Sequence, residues 1–159
     1  MRKIRKIVVH HTGSRVLGRW DSRILIKIRH LLKGHDDIGH HYLIGTDGRV
    51  YEGRNKQLDR AHAYGHNSDS IGIALIGNFE RDFLGDEQEK GAIKFLSDRC
   101  RYYQLKPKEI YGHRELEGAD SVCPGRNVDM YLLRRKVLEN MVIEDIKFSR
   151  FLHGDVLRR

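Results

Sequence analysis

Cysteine, proline and tryptophan are scarce in this sequence: two, two and one among 159 residues. Two cysteines exclude a scaffold built on disulfides, and two prolines beside 16 glycines exclude a collagen-like or Pro-rich chain. No apolar run approaches the roughly 20 residues that cross a bilayer as a helix. Hydrophobic residues still make up 39% of the chain, too many for a disordered tail protein. The length suits one domain with its own core.

Acid is scarce in one place only. Residues 1–33 hold ten Lys/Arg and a single acid, Asp21, a local net of +9, while the rest of the chain nets −1. This excess points to an anionic partner or to a solubilising rim on an ordinary domain. No recognised nucleic-acid motif accompanies it, so no nucleic-acid partner is expected. The start, Met1-Arg2-Lys3-Ile4-Arg5-Lys6, has the charge of a signal peptide. Only Ile7, Val8 and Val9 follow before His10, against the roughly 7–15 apolar residues of a secretory core. Synthesis in the cytoplasm without a signal peptide is therefore expected. A buried thiol or a metal ligand is then a better reading of Cys100 and Cys123 than a disulfide.

No repeat or linker divides the chain. Residues 4–9 read as a short apolar strand. Asp21 can cap a helix with Ile24, Ile28, Leu31 and Leu32 on one face and Gly34 as its stop. Residues 42–44 and 49–51 flank Thr46-Asp47-Gly48, a hairpin signal. Residues 71–76 are apolar enough for a central strand. Asp86 and Glu89 resemble a capping box for a helix to about residue 103, with Ala92, Ile93, Leu96 and Cys100 inward. Residues 109–111 read as a brief strand. A last helix is expected over 128 to about 142, with Leu132, Leu133, Val137 and Leu138 inward. Phe148, Phe151 and Leu152 suggest that the tail docks. Alternating strands and helices with one hairpin predict a single α/β domain, a mixed central sheet flanked by helices on both faces.

Ten histidines is a high count, and they cluster as His10-His11, His40-His41, His62 with His66, and His113. Such clusters at predicted strand ends, with a cysteine in the same half of the chain as His113, invite a metal reading. The spacing is not that of a zinc finger, of a His-Glu-x-x-His helix or of a base deaminase.

Blocks of residues in order carry a resemblance. They are Val8-Val9-His10-His11-Thr12, His30 with Gly34-His35-Asp36-Asp37-Ile38-Gly39-His40-His41-Tyr42-Leu43-Ile44, Asp47-Gly48-Arg49-Val50-Tyr51-Glu52-Gly53-Arg54 and Ala61-His62-Ala63. Asn67-Ser68-Asp69-Ser70-Ile71-Gly72-Ile73, Gly112-His113-Arg114-Glu115 and Cys123-Pro124-Gly125 complete the set. Over about residues 4–138 the chain resembles the zinc-dependent N-acetylmuramoyl-L-alanine amidases of the phage-lysozyme type, which share a fold with peptidoglycan recognition proteins. The resemblance implies one Zn2+ held by His10, His113 and Cys123. Neighbouring residues on a strand face opposite sides, so only one of His10 and His11 can enter the site, and the family register favours His10. Two imidazoles and a thiolate leave a fourth position for water, which ionises near neutral pH.

The implied reaction is hydrolysis of the amide between the lactyl group of N-acetylmuramic acid and L-alanine. His40 stands where relatives commonly carry a tyrosine, and imidazole can serve there as base, acid or oxyanion donor. Ser121 stands where lytic phage members carry a lysine, so a fixed positive charge is missing. His62 matches a family position near substrate and zinc, and the resemblance implies substrate or oxyanion contact for it. Asn67 falls in a block that contacts the stem peptide or forms a turn. His30, His35, His66 and His153 read as structural or surface residues. Peptidoglycan or muropeptides are the expected partners of a monomeric catalytic domain over 1–142, with a tail of unknown role over 143–159. The enzyme is expected to reach the wall after release from the cell. A peptidoglycan-binding module without turnover is the alternative, and a nucleic-acid binder using the basic N-terminal region is a third.

Overall fold

The computed structural model describes residues 3–14, 39–53 and 62–154. The helix expected after Asp21, with His30 and His35, lies outside them, as does most of the basic N-terminal segment. Five strands form one sheet: β1 (Lys6–His11), β2 (Tyr42–Ile44), β3 (Val50–Glu52), β4 (Ser70–Leu75) and β5 (Ile110–Gly112). Their order is β3-β2-β4-β1-β5. β1 runs parallel to both β4 and β5, β2 runs parallel to β4, and only the β2–β3 hairpin is antiparallel. The sheet is therefore mixed, as expected. Ile7, Val8 and Val9 of β1 and every residue of β4 are buried. Continuous apolar runs of this kind suit strands covered on both faces.

Two helices follow, α1 (Asp86–Tyr103) and α2 (Met130–Gly154). Ala92, Leu96 and Cys100 of α1 and Leu133 and Val137 of α2 share one core with Ile7, Val9, Tyr42, Ile44, Ile71, Ile73, Leu75 and Ile110. Strand alternation puts these strand residues on a single face, so both described helices cover the same side of the sheet. Cys100 is fully buried there, and burial pushes its thiol up to about 11. It is the packing residue its helical spacing predicted. Val8, Leu43 and Ala74 point to the opposite face, together with His10.

Some boundaries differ from the sequence reading. α1 takes Gly85 as its N-cap, and Asp86 and Glu89 lie within the first turn, where acids favour the helix dipole. Gln104 ends α1 in the left-handed conformation. Asp129 Oδ1 accepts from Leu132 N at 2.9 Å as α2 begins. α2 does not stop near residue 142 but continues to Gly154. Leu138 is half exposed, because a helix turns it about 100° from Val137. Phe148 and Phe151 are 65% and 69% exposed, and Leu152 is also exposed, so these residues do not dock.

Gly48 turns the hairpin with φ of +77° and rests against α1. A Cβ on Gly91 would come within 2.2 Å of Gly48 O, so hairpin and helix meet backbone to backbone. Buried Gln88 of α1 donates to Ile44 O at 2.9 Å and to Ile76 O at 3.0 Å, tying the helix to the ends of β2 and β4.

Candidate metal centre

The carboxyl ends of the parallel strands place the histidines. His10 is the fifth residue of β1, and its ring faces away from the helices into a pocket of other imidazoles. The ring centroids of His40 and His113 each lie 4.7 Å from that of His10, and the His62 centroid lies 5.3 Å away. His11 follows on the strand and faces the helical side, where its Nδ1 accepts from Phe79 N at 3.2 Å. Alternation along β1 thus separates the two neighbours, and His10 is the one that enters the cluster.

His113 leaves β5 at the start of a short 3-10 turn, His113–Glu115. Each residue of Gly112-His113-Arg114-Glu115 has a task there. Glu115 accepts from Gly112 N at 2.7 Å and from the Arg134 guanidinium at 2.8 Å, which fixes the turn to α2. Arg114 N donates to Cys123 O at 2.7 Å. The Arg114 side chain donates to Gly125 O and Val128 O at 2.6 and 2.8 Å. Arg114 therefore holds the Cys123-Pro124-Gly125 loop against the turn that carries His113. Gly125 has φ of +101°, and a Cβ there would meet the Phe79 carbonyl carbon at 2.4 Å.

His10, His113 and Cys123 consequently bring ligand atoms within 4.8 Å of one another, although their positions span most of the chain. Cys123 Sγ lies 3.7 Å from His10 Nδ1. Bonds of about 2.0–2.1 Å to nitrogen and about 2.3 Å to sulfur imply a tetrahedral N–S edge of about 3.6 Å. The donor set and this spacing fit a zinc ion with one position left for an exogenous ligand. Sγ also accepts from His11 N at 3.3 Å, so His11 serves the site through its backbone.

Residues 1–126 match the N-acetylmuramoyl-L-alanine amidase family. The chain belongs to this family. It is 38% identical over 127 residues to peptidoglycan-recognition protein SC2 of Drosophila melanogaster, covering 76% of this chain and 68% of that protein. Its fold is similar to the N-acetylmuramoyl-L-alanine amidase LysC from Clostridium intestinale, with a TM-score of 0.74, 27% identity and 85% of each chain covered. It is also similar to a mutant of Drosophila PGRP-LB in complex with tracheal cytotoxin, with a TM-score of 0.69, 27% identity, and 80% and 79% coverage. Family membership and the shared α/β fold make this a peptidoglycan-binding or peptidoglycan-hydrolysing type of domain. No helix among the described residues is long and apolar enough to cross a membrane.

Burial sets the charge state of this amidase-family site. His10 is held well below the ordinary imidazole value by burial and then by the neighbouring His40, His62 and His113. Burial also lowers His113. Both rings are thus neutral at pH 7, with a lone pair available to a metal. Burial pushes the Cys123 thiol up to about 11, against the opposing pull of His11 N and Arg114. A bound cation reverses that preference and takes the thiolate.

His40 is half-buried beside His10, at the edge of the cluster. His62 is buried and lies behind His10, with Nδ1 3.1 Å from His10 Nε2 and Nε2 3.2 Å from Ser70 Oγ. Asn67 Oδ1 accepts from His62 N and Ala63 N at 3.2 and 3.0 Å, a turn clamp on the segment that delivers His62. Ser121 Oγ accepts from Cys123 N at 3.1 Å and lies 3.5 Å from His113 Nδ1. His41 Nδ1 accepts from Gly72 N at 2.9 Å and locks the hairpin to β4. His66 bridges Lys6 Nζ and Glu117 O, each at 3.0 Å.

Sequence reasoning missed Ser70, Gly72 and the carbonyl clamp of Arg114. A glycine inside a strand marks a close approach, and that signal was present at Gly72. A Cβ there would stand 2.6 Å from the His62 ring.

Proposed function

We propose that this chain is a zinc-dependent amidase that hydrolyses the amide between the lactyl group of N-acetylmuramic acid and L-alanine of the peptidoglycan stem. The observation that carries this reading is the convergence of His10, His113 and Cys123 within 4.8 Å. When bound, zinc supplies Lewis acidity toward the amide carbonyl and lowers the pKa of a water.

The chain's own residues do the rest. His10 and His113 present neutral imidazoles. Cys123 presents sulfur, partly buried and supported by His11 N. His40, half-buried and adjacent to His10, is the group positioned to donate to the developing oxyanion or to hand a proton to the leaving amine. It takes the place of the tyrosine common in relatives. Ser121 carries no charge and acts on the Cys123 loop. His62 and Asn67 are the residues to which the resemblance gives substrate contact, and Asn67 holds the His62 and Ala63 amides.

A metal analysis joined to a muropeptide cleavage assay tests this. The purified protein should hold one zinc and release free stem peptide, chelation should stop the release, and zinc should restore it. Zinc-loaded protein that binds muropeptide but releases no stem peptide leaves the binding module as the function.

A further inference from the structure

The second ring nitrogen of His10 has a partner of its own. Nδ1 is the nitrogen near Cys123 Sγ, at 3.7 Å, while Nε2 lies 3.1 Å from His62 Nδ1. A neutral imidazole has one donor and one acceptor nitrogen. If Nδ1 gives its lone pair to the metal, Nε2 must carry the proton. That proton then points at His62 Nδ1, which must accept.

The next links run in the same direction. With Nδ1 accepting, neutral His62 carries its proton on Nε2, which lies 3.2 Å from Ser70 Oγ. Ser70 in turn donates to His66 O. His10, His62 and Ser70 are all buried, so water does not compete along this chain of donors. The backbone is shaped to admit it. Gly72 leaves room for the His62 ring against β4, and Asn67 holds the His62 and Ala63 amides. The His41 ring packs edge-on against His62 at 5.3 Å between centroids.

We propose that His62 is a positioning residue: by accepting the Nε2 proton of His10, it fixes the His10 tautomer whose Nδ1 faces the metal. Partners of this kind set the orientation and basicity of a ligating histidine. The inference rests on the zinc reading above and adds to it a role for His62 distinct from substrate contact.

Two-bond proton–nitrogen NMR of the zinc-loaded protein tests it without any substitution. The expected pattern is His10 metal-bound through Nδ1 and protonated at Nε2, with His62 protonated at Nε2 alone. Zinc affinity, read by competition with a chromophoric chelator, gives a second arm. His62→Phe, which removes the acceptor, should weaken zinc binding roughly 10- to 100-fold. His62→Asn, whose Oδ1 can stand where Nδ1 stood, should recover most of that loss. Melting curves of the metal-free variants confirm that they fold, and the wild-type NMR pattern decides alone where they do not. Metal attachment through His10 Nε2, or wild-type affinity in His62→Phe, or no recovery in His62→Asn, overturns the proposal. Wild-type protein that takes up no zinc at His10, His113 and Cys123 overturns the zinc reading itself, a distinguishable result.

Discussion

Cys123 is the residue whose chemistry changes most on metal uptake. Its thiol is held up to about 11, so it keeps its proton at pH 7, whereas a metal takes the thiolate. His10 and His113, lowered by burial, have no proton to lose there. Zinc binding at pH 7 should therefore expel at least about one proton, with affinity rising about tenfold per pH unit above neutrality. Calorimetry in buffers of different ionisation enthalpy checks the count. Cys123→Ser should lose more affinity than the roughly 10- to 100-fold expected for an outer partner. Cys100→Ala should leave zinc affinity unchanged, because Cys100 packs in the helical core.

His10 also predicts the pH response of the metal-free fold. Its folded pKa lies below the unfolded value of 6.5, with burial the main cause. As pH falls below about 6.5 the unfolded chain takes up a proton that the folded chain refuses, so stability is lost, by at most about 1.4 kcal/mol per pH unit. Urea titrations of metal-free protein between pH 7 and 5 should show this loss, to which His11 and His113, also lowered by burial, add their own, and His10→Gln should remove the share due to His10. At this scale the convergence of His10, His113 and Cys123 was legible, because residue type and block order point to these three. The partner of His10 was not, since His62 is 52 residues away and strand register brings them together.

At the scale of elements, the contact between the hairpin and α1 makes an opposite prediction to helix propensity. Glycine to alanine in a helix ordinarily stabilises by about 1 kcal/mol. Gly91→Ala should instead destabilise by about 1–3 kcal/mol, since its methyl meets Gly48 backbone, which cannot swing aside. Chemical denaturation measures the sign. The strands, the hairpin and α1 could be read from short apolar runs, the Asp47-Gly48 pair and helical spacing. Helix ends were less legible: Gly85 displaced Asp86 as the cap, and nothing in local pattern marks where α2 leaves the core. Its apolar residues continue past Val142 into solvent, so periodicity alone suggested docking that the fold does not supply.

For the whole molecule, the end of α2 stands apart from the core. Residues 142–152 are exposed throughout, and Asp145 there pairs with Arg101 at the surface. Replacing the exposed Phe148 and Phe151 together by Ala should change unfolding free energy by less than about 0.5 kcal/mol, since surface changes rarely exceed this. A larger loss in urea would show that the projecting turns are anchored.

The sheet order has a consequence for the sequence of events in folding. β1 lies between β4 and β5, and both of its neighbours are parallel strands from distant parts of the chain. Such non-local pairings form slowly. His10 rides on β1, while His113 follows β5, and Cys123 is held to that same turn by Arg114. The three donors cannot meet before β1 has paired with β5. Metal capture thus reports that β1 and β5 have paired. In a refolding experiment, the colour of cobalt(II)–thiolate bonding should rise with the slowest phase, after helical signal has already returned.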